Sequence, residues 1–140
     1  MTNNESNVPV AHRLIDLYNT DVHRMIDEVY ANVDVVCPGA LEIHDRQDFH
    51  AIEQIALDVA PDRKAHILRT IDAADRVILE GDVTYTDQKT GEQRQTFWCG
   101  IFTFQDSRVI SDRTYLNPAE WPGGQQMADY LASQHEARLI

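Results

Sequence analysis

Apolar residues recur at helical spacing in the first part of the chain and at every second position in the later part, so two kinds of element can be read directly. Ala11, Leu14, Ile15 and Tyr18 fall on one side of a helix that Asn7 can cap, with Pro9 in its first turn. Thr20 can cap a second helix whose stripe is Val22, Met25, Ile26, Val29 and Tyr30. The β-branched run 33–37 predicts a strand, ended by Pro38-Gly39 and followed by a loop to about residue 45. A third helix is predicted over 48–59, with Phe49, Ile52, Ile55, Ala56 and Val59 on one side and Pro61-Asp62 as its stop. Residues 64–71 read as a strand and 72–75 as a turn.

From residue 76 the period becomes two. Val77, Leu79, Gly81, Val83 and Tyr85 take one face, and Ile78, Glu80, Asp82 and Thr84 the other. A polar turn through 87–92 leads into two long strands, RQTFWCGIFTF and RVISDRTYLN, joined by Gln105-Asp106-Ser107. Asn117-Pro118 starts a short helical turn, and after Gly123-Gly124 a last helix carries Met127, Ala128 and Leu131. Helices gathered ahead of an antiparallel meander make an α+β domain with the helices over one face of the sheet.

Counting outward from each turn gives two registers. The three-residue turn 105–107 sets Gly100 opposite Asp112 and Trp98 opposite Thr114. The turn at 88–91 sets Val83 opposite Thr96, Gly81 opposite Trp98 and Leu79 opposite Gly100. Both registers assign one face to Leu79, Gly81, Val83, Tyr85, Thr96, Trp98, Gly100, Phe102, Ile110, Asp112, Thr114 and Leu116. Gly81 and Gly100 are expected to leave space beside Trp98, with Asp112 pointing into it. A carboxylate among Trp98, Leu79, Ile110 and Phe102 is desolvated and suited to move protons near neutral pH. The alternatives for Asp112 are an ion pair with Arg94 or Arg69, or a slipped register that turns it to solvent. Tyr85 shares the face and is placed to donate to an oxyanion, or else caps the sheet end opposite Arg94. Phe97, Cys99, Ile101, Val109 and Tyr115 on the other face are too apolar to stay wet, so a homodimer interface is expected there.

Composition narrows the partners. Among 140 residues, Asp and Glu outnumber Lys and Arg 23 to 12, for a net charge of −11, which excludes a phosphate-binding surface for nucleic acid or anionic membrane. No apolar run approaches the roughly 20 residues that cross a bilayer, and the start, MTNNESNVP, has no signal core, so a cytoplasmic protein is expected. A single domain over 9–140 follows a disordered tail, 1–8. Cys37 and Cys99 sit in apolar strand-like runs and read as packing. His44, Asp45, Asp48 and His50 have metal-ligand chemistry but loose spacing, and read as caps and solvated groups rather than a site. Tyr18, Tyr30 and Trp121 belong either to a pocket for a flat ligand or to the core, and the face of His66 is left open. There is no nucleophile elbow and no glycine-rich phosphate loop.

With the strands placed, the chain resembles the nuclear-transport-factor-like superfamily, and within it the SnoaL-like polyketide cyclases and limonene epoxide hydrolases. The segments that carry the likeness are AIEQIA in the third helix, TGEQ, and GIFTFQDSRVISDRTYLNPAEW, where Ser107 replaces the usual glycine of the last turn. The resemblance implies a cone-shaped, strongly curved antiparallel or mixed sheet with the N-terminal helices on its concave face, a cystatin-like α+β barrel. The epoxide hydrolases use an Arg and an Asp two apart, a second Asp, and a Tyr and Asn pair. The matching positions here are Gly81, Val83, Thr114, Val36 and Pro38, so that chemistry does not carry over. The cyclases rely on a pocket aspartate as general acid/base without metal or cofactor, and Asp112 is the candidate for it. The expectation is a cofactor-free isomerase, cyclase or dehydratase acting on an apolar carbonyl or polycyclic compound, with Asp112 and Tyr85 catalytic. Trp98, Gly81, Gly100, Val83, Thr96, Thr114, Phe102, Leu116 and Val36 would surround the substrate. The alternative is a non-catalytic dimer that binds a small hydrophobic molecule or a protein.

Overall fold

A computed structural model describes residues 5–139. Three helices, α1 (Val8–Thr20), α2 (Val22–Val29) and α3 (Arg46–Val59), precede most of the sheet, and α4 (Gly124–Leu139) follows it. The strands are β1 (Val35–Cys37), β2 (Leu41–Ile43), β3 (Lys64–Ala73), β4 (Arg76–Thr86), β5 (Gln93–Gln105) and β6 (Arg108–Leu116). They form one sheet in the order β2-β1-β6-β5-β4-β3, antiparallel throughout except where β1 runs parallel to β6. The core lies between the helices and one sheet face, where Leu14, Ile26, Tyr30, Ile52, Leu79, Val83 and Phe102 are buried.

Several boundaries differ from the sequence reading for local reasons. Asp21, not Thr20, caps α2 by accepting from the Arg24 amide, while the Thr20 hydroxyl donates back to the Asp16 carbonyl. Asp45 caps α3 two residues earlier than expected, accepting from the Asp48 amide at 2.9 Å. The stretch taken as a loop after Pro38 contains β2. Of the expected tail, residues 1–4 lie outside the described residues, and Ser6 donates to Asp72 at 2.7 Å before Val8 opens α1. No described helix is long and apolar enough to cross a membrane.

The β4–β5 register is the expected one: Val83 pairs with Thr96, Gly81 with Trp98 and Leu79 with Gly100. The β5–β6 register is shifted by two. The turn is tighter than expected, with Gln105 paired to Arg108 and both Asp106 (φ 52) and Ser107 (φ 62) left-handed. A bulge then leaves Ile110 unpaired, so Gly100 faces Thr114 and Phe102 faces Asp112. Because the shift is even, Asp112, Thr114 and Leu116 stay on the helix-covered face. Parity differs only before the bulge. Val109, expected on the outer face, is fully buried against the core, and Ile110, expected inside, is half-buried.

Candidate functional site

Between the helices and the inner sheet face lies a cavity of about 140 Å³. That is some ten times the ~10–15 Å³ that admits one water. Apolar groups make most of its wall, among them Leu14, Ile15, Met25, Phe49, Ile52, Val83, Trp98, Phe102, Leu116, Trp121 and Met127. Its polar side chains are Tyr18, Tyr30, Glu53, Asp112 and Thr114.

Asp112 sits mid-strand in β6, between β5 and β1, with Phe102 and Val35 as its cross-strand neighbours. Its Oδ2 accepts from the Tyr30 hydroxyl at 2.6 Å and its Oδ1 from the Thr114 hydroxyl at 2.6 Å. Burial raises its pKa to about 6 against the opposing effect of both hydrogen bonds, with a smaller push from Asp34. Neither arginine considered as an ion-pair partner reaches it, since Arg94 pairs with Asp87 and Glu92 and Arg69 with Glu80. Tyr30 ends the α2 stripe. Its carbonyl is held by Arg46 (2.9 Å) and Arg108 (3.0 Å), and Phe49 packs edge-on against its ring. Burial and the Asp112 charge keep its phenol far above the usual range, so it remains a donor.

A second polar group lines the helical wall. Glu53, on α3, is 14% exposed, and its carboxylate lies 3.5 Å from Nη2 of the buried Arg63. Burial raises its pKa, Arg63 opposes this, and Asp112 is near enough to raise it further. Arg63 also donates to the Tyr18 carbonyl at 3.0 Å and lies 3.8 Å over the Tyr18 ring. The Tyr18 hydroxyl and Arg63 Nε are buried without a hydrogen-bond partner.

Of the residues expected around the substrate, Val83, Trp98, Phe102, Asp112, Thr114 and Leu116 line the cavity. The rest do not. Tyr85 lies across from Arg94 near the sheet end and donates to the Glu120 carbonyl at 2.7 Å. Thr96 is buried and donates to the Glu120 carboxylate at 3.3 Å. In β1, Val35 and Cys37 are the buried residues and Val36 the half-buried one between them, so Val35 reaches the cavity in its place. Gly81 and Gly100 do not open space. A Cβ on Gly81 would fall 2.3 Å from the His66 carbonyl and 2.4 Å from the Trp98 indole, and one on Gly100 would fall 2.6 Å from the Phe102 ring. The glycines seat the two rings that wall the cavity, and Trp98 Nε1 locks its ring by donating to the Asp82 carbonyl at 2.9 Å.

Glu53, Arg63 and the Tyr30 hydroxyl were not singled out from the sequence. Glu53 had a usable signal: it falls on the stripe of Phe49, Ile52 and Ala56, where an acid is out of place. The His44, Asp45, Asp48, His50 group disperses. His44 contacts Glu42, Asp45 caps α3, and His50 meets His23 (2.7 Å) and Asp27 (2.8 Å). Among the described residues no group of three or more His, Cys, Asp or Glu is arranged to hold a metal ion. Cys37 is a free thiol on the cavity wall, pushed up to about 12 by burial.

No protein-family model matches the chain, and no curated protein does. Solved structures do. IdmH, a candidate polyketide cyclase from Streptomyces antibioticus, superposes with TM-score 0.73 at 15% identity over 84% of this chain and 96% of that one. A candidate SnoaL-like polyketide cyclase from Jannaschia sp. CCS1 gives TM-score 0.72 at 14% identity, covering 84% of this chain and 90% of that one. An epoxide hydrolase from M. tuberculosis, similar to the limonene enzymes, gives 0.67 at 13%, covering 91% and 96%. With its helices over one face of a mixed six-stranded sheet, the chain has the nuclear-transport-factor-like α+β fold of these cyclase and hydrolase structures.

Proposed function

We propose that the chain is an enzyme that binds an apolar cyclic carbonyl compound in this cavity and moves a proton on it with Asp112. The supporting observation is a carboxyl group near pKa 6 on the wall of an otherwise largely apolar cavity, held at both oxygens by Tyr30 and Thr114. A base poised near the operating pH balances being ionised against being basic enough. Each Asp112 oxygen keeps a further lone pair. One can take a proton from carbon next to a carbonyl, giving an enolate and a neutral acid. The acid then returns the proton to another carbon, as in isomerisation, or protonates a departing hydroxyl, as in dehydration. In a cyclase the enolate carbon attacks a second carbonyl, whose π bond opens to an alkoxide that takes the proton back from Asp112. The descriptions of two structural neighbours as candidate polyketide cyclases agree with this reading at a coarse level.

The test is proton exchange at carbon. With 2-tetralone in heavy water, the wild type should speed α-hydrogen exchange, and Asp112→Asn should slow it at least about a hundredfold. Affinity for 2-naphthol, which mimics the enol, should hold within about threefold in the variant because the ring contacts remain. Equal exchange by both proteins would remove Asp112 from the chemistry. A non-catalytic binding module is the second reading, favoured by the fact that both Asp112 oxygens already have donors within the protein. Binding without exchange in either protein would select it.

A further inference from the structure

The helical wall of the cavity holds polar groups that Asp112 chemistry does not use. Glu53 interrupts an apolar stripe, and its cation, Arg63, stands 3.5 Å away while its own Nη1 is tied to the Tyr18 carbonyl. Beside it the Tyr18 hydroxyl is buried and no protein group hydrogen-bonds to it. Native proteins seldom leave a buried hydroxyl unpaired, because its lost hydration is not returned. A partner that arrives with a ligand accounts for both groups at once.

We propose that Tyr18 and Glu53 form a second polar subsite, which takes a hydroxyl on a neutral two-ring substrate whose carbonyl Asp112 addresses. The inference rests on the reading that the cavity binds an apolar carbonyl compound, and it adds which compounds those are. The ligand hydroxyl donates to a Glu53 oxygen and accepts from the Tyr18 hydroxyl. Both groups line the one cavity, and Arg63, 3.8 Å from the centre of the Tyr18 ring and 3.5 Å from the Glu53 carboxylate, holds them as neighbours. Charge sets the class of ligand. Asp112 and Glu53 line the cavity and Arg63, paired with Glu53, offsets one of the two charges, so a carboxylate or phosphate ligand meets the remaining negative charge, whereas a phenol or alcohol does not.

Titration calorimetry with 2-naphthol, 2,6-dihydroxynaphthalene and 2-naphthoate tests this on wild type, Tyr18→Phe and Glu53→Gln. The wild type should prefer the diol to 2-naphthol by about tenfold, the effect of one good hydrogen-bonded site. Each variant should abolish that preference while holding 2-naphthol within about twofold. Tyr18→Phe should also melt no lower than the wild type, since the hydroxyl it removes makes no hydrogen bond to the protein. Equal wild-type affinity for diol and 2-naphthol overturns the subsite. So does a variant that weakens both probes alike, or 2-naphthoate binding as tightly as 2-naphthol. If neither naphthol binds the wild type, the binding reading of the cavity falls with it.

Discussion

Asp112 ties folding to pH in a direction opposite to that of most surface acids. Its folded pKa of about 6 lies above the ordinary 3.8, so between those values the native state holds a proton that the unfolded chain has released. Stability from this group is therefore greatest at low pH, falls as pH rises through that window, and is level above it. A rise of this size corresponds to about 3 kcal/mol for a buried group. Glu53 acts in the same sense, while Asp62 and Asp87, held low by hydrogen bonds, act in the opposite one. Urea unfolding of wild type and Asp112→Asn from pH 3.5 to 7.5 reads Asp112 together with its coupling to Glu53, because the acids that do not interact with it cancel in the difference. The wild type should lose about 3 kcal/mol relative to the variant across the window. Parallel curves would mean that the carboxyl group is hydrated. The face of Asp112 was legible in the sequence because the tighter turn and the bulge each shift β6 by one residue and together restore its parity, whereas the partners Tyr30 and Thr114 depend on how α2 meets β6 and on the rotamer of a neighbour.

Within the β4–β5–β6 meander the glycines are seats for aromatic rings, and they differ in how much their neighbours can yield. Gly81→Ala would drive its methyl into the His66 carbonyl, which belongs to the β3–β4 ladder, as well as into the Trp98 ring. Gly100→Ala meets mainly the Phe102 side chain, which can rotate. Overpacking costs about 1–3 kcal/mol, and we expect Gly81→Ala at or above the top of that range and Gly100→Ala near the bottom. Chemical denaturation ranks them, and equal losses would show that the Trp98 ring relaxes as readily as Phe102. The sequence indicated β4–β5 pairing correctly because the turn at 87–92 has polar and glycine signals. It misjudged β5–β6 by two, since Asp106 and Ser107 lack the glycine that marks a left-handed turn and nothing in the sequence marks Ile110 as a bulge.

At the scale of the molecule, the outer sheet face asks for a cover. Phe97 (60% exposed) and Tyr115 (46% exposed) stand there with the half-buried Cys99 and Ile101. Beside them Asp82 is buried and satisfied, accepting from Gln95 (2.8 Å) and hydrogen-bonded to His66 (2.7 Å). We propose that this face joins two copies, with Val109 no longer part of it. Light scattering should give twice the chain mass for the wild type and the single mass for Phe97→Asp, which places a charge in the seam. A monomeric wild type would refute the interface.

The sequence alone determined the type of every element but β2, the α+β class and, apart from Val109 and Ile110 before the bulge, which face of each central strand is buried, because these follow from local periodicity. Its net charge of −11, a sum over residues, argues against a basic nucleic-acid surface. Only the tertiary structure decided what surrounds Asp112, that Tyr85 lies at the sheet end, that the glycines are filled, and that Glu53, Arg63 and Tyr18 meet. Those contacts join residues far apart in the chain, as in the Tyr30–Asp112 hydrogen bond 82 positions apart. Periodicity fixes a side chain's face but not its height along a strand. The turn and the bulge set that height, and the packing of α1, α2 and α3 then sets its neighbours.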